Sequence, residues 1–423
     1  LSPEAGSSLR IAQVGDCHLG AGYIHGTEDA GGVNSRLDDF EAAWRRSCAQ
    51  MIEEKVDLVL FTGDAFESEK RGPTEEAAFA SGLRMLTQAG IRVRGVVGNH
   101  DNPRQVRRRQ ALEMFNSFEG GNTWFADGRL VDGRPPVLIE GPDRVGLPVA
   151  IAYLPWINPA HISAVDETYR ALGMDERNRY LADRLVETLR ALAAQASHLE
   201  APFGALLVAH GTISSAAVGE HQESDIFRDA VVPVAELRGM PFRYQAWGHL
   251  HRVQALEGRI RYCGSIERHD YGEAKEDKGF WLVTLGESWE ADTFEWRSSG
   301  PRAFLDVELE RPRDWEVELA DLVSDTDLDG AVVRVRYTAT PEIHATVDHN
   351  RIREVLRQAG AGKIYGPQAT IVRDASIRVT NALTEQSGAM DAWLQYAAMQ
   401  CIEGPDLERL RHHVADAIEV TRC

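Results

Sequence analysis

Val93-Arg94-Gly95-Val96-Val97-Gly98-Asn99-His100-Asp101 is an apolar run closed by a glycine, an amide, an imidazole and a carboxylate. Val93 to Val97 reads as a buried strand, because β-branched residues crowd a short stretch that ends on a turn signal. A turn after such a strand often carries Gly and Asn for backbone reasons alone. The same residues also have a chemical reading. An Asn carbonyl can ligate a metal while the neighbouring His100 stays unligated and free to carry a proton.

Working outward, the same pattern recurs. Upstream, Asp57 to Phe61 is a second buried strand, closed by Thr62-Gly63-Asp64, and Arg10 to Gly15 is a third, closed by Asp16-Cys17-His18-Leu19-Gly20. Alternate side chains of an extended segment share a face, so Asp16 and His18 can converge on one ion while Cys17 points into the core. Between these strands, Arg36 to Lys55 carries Leu37, Phe40, Trp44, Cys48 and Met51 at helical spacing, and Thr74 to Ala89 reads as a second helix. Strands alternating with helices predict an α/β chain with a largely parallel sheet, which gathers chemistry at the carboxyl ends of its strands. Downstream, Val149 to Leu154 is a strand, Tyr180 to Ala196 a helix, Ala205 to Ala209 a strand ending at His210, and Tyr244 to Trp247 a strand ending at Gly248-His249-Leu250-His251. Each motif alone is weak. Asp16, His18, Asp64, Asn99, His210, His249 and His251 all at strand ends make chance a poor explanation. Metal-assisted cleavage of a phosphoester needs this division between groups that hold ions and one that protonates a leaving oxygen.

Composition bounds the reading. The 423 residues hold two or three domains. A formal charge of −19 argues against a protein that grips nucleic acid with its whole surface, so such contact must be local or shared. The densest basic cluster, Arg104, Arg107, Arg108 and Arg109, is either a solvated helix face or a phosphate-gripping edge. Five scattered cysteines without a Cys-x-x-Cys pair indicate neither a disulfide framework nor a zinc ribbon, and point to a reducing cytoplasm. No apolar run reaches the length of a membrane span, and Leu1 to Ser8 lacks the regions of a secretory signal.

The ordered set Asp-x-His, Gly-Asp, Gly-Asn-His-Asp, His and Gly-His-x-His resembles the calcineurin-like metallophosphoesterase superfamily. Asp16-x-His18-Leu19-Gly20, the arginines after Asp101, and Gly248-His249-Leu250-His251-Arg252 followed by Tyr262-Cys263-Gly264-Ser265-Ile266-Glu267-Arg268 are similar to SbcD-type DNA double-strand-break repair nuclease subunits. The resemblance implies a two-sheet sandwich flanked by helices over 9–298, a small α/β cap that binds DNA over 301–381, and a helical hairpin over 388–422. It implies two divalent metal ions, one held by Asp16, His18, Asp64 and His251 and the other by Asp64, Asn99, His210 and His249. His100 would be the general acid and Asp101 its orienting partner. Nitrogen and oxygen ligands without thiolate suit Mn²⁺, with Mg²⁺, Fe and Zn²⁺ open. Where Glu67 stands, three residues after Asp64, family members often carry His. The implied activity is DNA exonuclease or single-strand endonuclease cleavage in concert with an SMC-like ATPase, by a homodimer. A phosphatase acting on phosphomonoesters is the alternative.

Past the core, Gly279 to Leu285 and Asp292 to Trp296 read as a hairpin that finishes the second sheet. Phe304 to Leu309, Ala331 to Tyr337 and Thr370 to Val379 are expected as cap strands, with helices near Trp315 to Val323 and Asn350 to Gln358. At the C-terminus, Met390, Trp393, Leu394, Ala397 and Cys401, then Leu407, Leu410, Val414, Ala417 and Ile418, form two apolar stripes around Gly404-Pro405. So small a hairpin must pack on something else, either the chain's own cap or, as the resemblance favours, the ATPase.

Overall fold

The computed structural model describes residues 7–28, 32–103, 105, 108–117, 121–218 and 229–372. Strands β1 (Leu9–Val14), β2 (Leu58–Phe61), β3 (Arg92–Val96) and β4 (Thr123–Ala126) lie side by side and parallel. Helices α1 (Ser35–Glu53) and α2 (Pro73–Gln88) make the crossovers. Asn34 starts α1 by accepting the Arg36 N–H, and the Glu75 side chain starts α2 by accepting the Gly72 N–H at 2.9 Å.

The second sheet contains β5 (Leu138–Glu140), β6 (Ala150–Leu154) and β7 (Ala205–His210). After a two-stranded ribbon of β8 (Thr212–Ile213) and β9 (Val231–Val232), it adds β10 (Phe242–Gly248), β11 (Gln254–Ala255) and β12 (Ile260–Tyr262). Its order is β11-β12-β10-β7-β6-β5, parallel from β12 to β6. The helix Met174–Ala196 covers its outer face and begins ahead of Tyr180, because Glu176 accepts the Gly173 N–H and fixes an earlier start.

The strands read as continuous apolar runs because both their faces are buried. In β2, Leu58 and Leu60 enter the core between the sheets while Val59 and Phe61 enter the core under α1 and α2. In β7, Leu206 and Val208 face the first sheet, and Ala205, Leu207 and Ala209 face the outer helix. The result is four layers: helices, sheet, sheet, helix. Two buried charged links tie the layers together. Arg94 of β3 reaches Glu140 of β5 at 3.1 Å, which also accepts the Tyr153 hydroxyl at 2.7 Å. Arg243 of β10 reaches Asp292 at 2.6 Å, with both side chains buried.

Two expectations are corrected here. The hairpin β13 (Gly279–Leu285) and β14 (Thr293–Ser298) does not finish the second sheet; β13 pairs antiparallel with β1 and extends the first. Phe280 and Leu282 enter the helix-side core while Val283 and Leu285 enter the core between the sheets, and the position beside β1 covers both faces. The small domain is a parallel sheet of β15 (Phe304–Leu309), β16 (Val332–Ala339) and β17 (Lys363–Ile371), crossed by the helices Trp315–Asp325 and His349–Gln358. Its third strand starts at Lys363 rather than at Thr370. The Gly360 and Gly362 turn returns the chain to the sheet at once, so that Lys363 pairs with Val332. The expected hairpin at 388–422 lies outside the described residues. Among the described residues no helix is long and apolar enough to cross a membrane.

Candidate metal centre

The carboxyl ends of β1, β2, β3, β7 and β10 point to one place, and each strand delivers its polar side chains there. The loops after β1 and β2 stay paired beyond the strands: the Asp16 N–H donates to the Gly63 carbonyl at 2.9 Å and the His18 N–H to the Asp64 carbonyl at 3.1 Å. Asp16, His18, Asp64 and His249 all have positive φ, 47°, 42°, 52° and 102°, a conformation that side-chain-bearing residues rarely adopt. Gly63 and Gly98 permit the crowding. A Cβ on Gly98 would stand 2.1 Å from Asp64 Oδ1, and one on Gly63 2.6 Å from His210 Nδ1.

Asp16, His18 and Asp64 form one group of potential ligand atoms, and Asp64, His210 and His249 another, each within 4.8 Å. Asp64 belongs to both. Asn99 Oδ1 lies 2.8 Å from His210 Nε2 and 3.0 Å from His249 Nδ1. His251 Nε2 lies 3.1 Å from His18 Nε2. The structure thus brings all seven strand-end residues together.

Their outer partners decide what the inner atoms can do. His18 Nδ1 meets the Glu67 carboxylate at 2.9 Å, His210 Nδ1 the Thr62 carbonyl at 2.7 Å, His249 Nε2 the Asp229 carboxylate at 2.7 Å and His251 Nδ1 the Glu273 carboxylate at 2.8 Å. Every imidazole thereby spends one N–H on an oxygen outside the cluster and turns its other nitrogen inward. Inside, those nitrogens face the oxygens of Asp64 and Asn99 and one another. Where a proton leaves, each inner nitrogen offers a lone pair, and this buried N/O donor set fits divalent ions.

Burial pushes the Asp16 carboxyl up to about 7, with the Asp64 charge adding to it and His210 opposing. Burial acts on Asp64 in the same direction, but His210 and His100 outweigh it and hold that carboxyl well below the usual range. Burial would lower His210, yet the Asp64 charge raises it to about 9. Without ions, the cluster therefore balances itself with protons.

His100 stands beside this group. Its backbone N–H donates to Asp64 Oδ1 at 2.8 Å, its Nδ1 meets the Glu67 carbonyl at 2.6 Å, and its ring packs edge-on against His18 at 4.6 Å. The expectation that Asp101 orients it is corrected. The buried Asp101 carboxylate instead accepts the backbone N–H groups of Ala65, Phe66 and Gly98 at 3.1 to 3.3 Å, clamping the turns after β2 and β3 together. Arg104 and Arg107 lie outside the described residues. Arg108 and Arg109 are exposed, 3.8 Å from Glu69 and 3.1 Å from Glu113, on loop and turn rather than the helix face that was one reading of the cluster.

Sequence reasoning missed the outer partners Asp229 and Glu273, as well as the buried Lys278 that holds Glu273 at 3.0 Å. Nothing marks Asp229 in its loop. Glu273 follows the motif that ends at Arg268 and could have been sought there. Glu67, noticed only as a departure from His, serves His18 with its side chain and His100 with its backbone.

Comparison with known proteins finds a set of relatives, among them these three. The DNA double-strand break repair protein Mre11 of Haloferax volcanii is 26% identical over 329 residues, 77% of this chain and 60% of that protein. One component of the nuclease SbcCD of Bacillus subtilis is 25% identical over 65% of this chain and 66% of its own. Mre11 of Halobacterium salinarum is 24% identical over 78% of this chain and 70% of its own. The chain therefore spans about two thirds or less of the first two relatives. The family model for calcineurin-like phosphoesterase matches residues 9–253, from β1 through His251, and the chain belongs to that family.

Proposed function

We propose that this chain is a two-metal-dependent DNA nuclease, a 3′-5′ exonuclease, a single-strand endonuclease or both, acting in double-strand-break repair together with an SMC-like ATPase. The observation that carries the reading is the inward convergence of seven ligand-type side chains whose imidazoles are each fixed from outside by an oxygen. Asp16, His18, Asp64 and His251 would hold one ion and Asp64, Asn99, His210 and His249 the other, with Mn²⁺ as the expected metal. When bound, such ions polarise a phosphodiester and supply a nucleophilic hydroxide near neutral pH. His100, anchored at Nδ1 by the Glu67 carbonyl, keeps its other nitrogen to carry a proton to the departing oxygen. The relatives' names, two of them DNA repair proteins and one part of a nuclease, support DNA as substrate.

The three-stranded parallel sheet would be the cap over 301–381, and 388–422 the hairpin that binds the ATPase. Arg104, Arg107, Arg108 and Arg109 would meet DNA backbone, and their charge reversal should flatten the salt dependence of binding for all sequences alike. A homodimer belongs to the same reading and is checked by sedimentation equilibrium. The deciding experiment measures hydrolysis of bis(p-nitrophenyl) phosphate against the monoester, with and without Mn²⁺, alongside cleavage of short DNA. Metal-dependent diester and DNA cleavage is expected. A clear preference for the monoester with no DNA cleavage would make the chain a phosphatase.

A further inference from the structure

His269 lies outside the seven residues assigned above, yet its ring packs edge-on against His251 at 4.3 Å and against His18 at 4.7 Å. One ring nitrogen from each of the three falls within 4.8 Å of the others. The placement is built. Glu273 accepts His251 Nδ1 at 2.8 Å on one oxygen and the His269 backbone N–H at 2.9 Å on the other, while Lys278 braces the carboxylate at 3.0 Å. One carboxylate thus sets two of the three imidazoles.

His18 and His251 each turn Nδ1 outward to a carboxylate, Glu67 and Glu273, and their Nε2 atoms lie 3.1 Å apart, a contact that needs a proton or a cation between them. In the same ring that packs against both, His269 Nε2 is buried without a hydrogen-bond partner among the described residues. An unpaired buried polar nitrogen is costly. A single proton shared by His18 and His251 would satisfy two of the nitrogens and leave the third; a cation can satisfy all three.

We propose that His269 is a further imidazole ligand of the ion held by His18 and His251, and that it raises the affinity of this half of the centre for Fe, Co or Zn more than for Mg or Mn. Imidazole favours the former metals, whereas carboxylate, carbonyl and water favour the latter. The inference rests on the two-metal reading above.

The test titrates the metal-free full chain and its His269→Leu variant with Co²⁺, Zn²⁺ and Mn²⁺ by calorimetry, and records the visible absorption of the Co²⁺-loaded proteins. Wild type should bind two ions. In His269→Leu, one Co²⁺ and one Zn²⁺ affinity should fall about 10- to 100-fold, the range that loss of even an outer partner produces, with a smaller loss for Mn²⁺ and a changed cobalt spectrum. Two ions bound with unchanged affinities and an unchanged spectrum would overturn the role of His269 and leave the centre standing. No ion bound by wild type would overturn the centre itself. Should His269→Leu fail to fold, wild type answers alone: the dicobalt protein should display five paramagnetically shifted exchangeable imidazole protons, and four would reject the ligand.

Discussion

His100 and Asp101 are adjacent in sequence and have separate duties, and two substitutions can tell them apart. His100→Ala removes none of the seven residues assigned to the ions and gives up a part-buried contact, to the Glu67 carbonyl. It should keep its bound metal and its denaturation midpoint while losing about 10²- to 10⁴-fold in diester hydrolysis, the usual contribution of a positioned acid. Near-normal turnover would end the general-acid assignment. Asp101→Ala strips the acceptor from the backbone N–H groups of Ala65, Phe66 and Gly98. It should lower stability by about 1–3 kcal/mol, read from urea midpoints, because buried donors lose their partner. At this scale the inner residues were legible in the sequence, since each closes an apolar run and strand ends in a parallel sheet converge. Glu67, Asp229 and Glu273 were not legible as partners. They arrive from loops, and only tertiary packing decides which imidazole they face.

At the level of elements, α1 and α2 cross where Gly82 meets Trp44. A Cβ on Gly82 would stand 2.1 Å from Trp44 Nε1, an indole that is fully buried and donates to the Phe79 carbonyl at 3.1 Å. Helix propensity favours Gly82→Ala by about 1 kcal/mol, whereas overpacking a rigid buried ring costs about 1–3 kcal/mol. Net destabilisation is expected in a denaturation curve, and a gain in stability would mean that the helices can part freely. Helices and core strands were legible because their periods are clean: Leu37, Phe40, Trp44, Cys48 and Met51 do bury one face of α1. The sheet to which β13 belongs was not legible, since an apolar strand with two buried faces carries no label for its neighbour. β17 was misplaced because the density of β-branched residues at Thr370 to Val372 outweighed the turn at Gly360 and Gly362.

Across the whole molecule, the sandwich is closed by polar links as well as by apolar contact. Asp292 has no exposed surface in its side chain and takes Arg243 at both Nε and Nη2, 3.1 and 2.6 Å, together with the Gly286 N–H at 3.0 Å. Asp292→Ala leaves a buried guanidinium uncompensated and should cost about 3–5 kcal/mol in chemical denaturation. A loss below about 1 kcal/mol would mean that water reaches Arg243. The left-handed backbone at Asp16, His18, Asp64 and His249 draws on the stability that such links supply. Conformations of this kind cost about 1–3 kcal/mol each, against a net stability of about 5–15 kcal/mol for a typical domain. At such positions the ordinary ranking of alanine over glycine reverses. The metal-free His18→Gly protein should therefore outlast metal-free His18→Ala by about 1–2 kcal/mol, and the opposite order would show the backbone there to be relaxed. A selection that rewarded folding alone would drift toward glycine at these four codons and erase the centre, so foldability and chemistry pull the same short stretches of the gene in opposite directions.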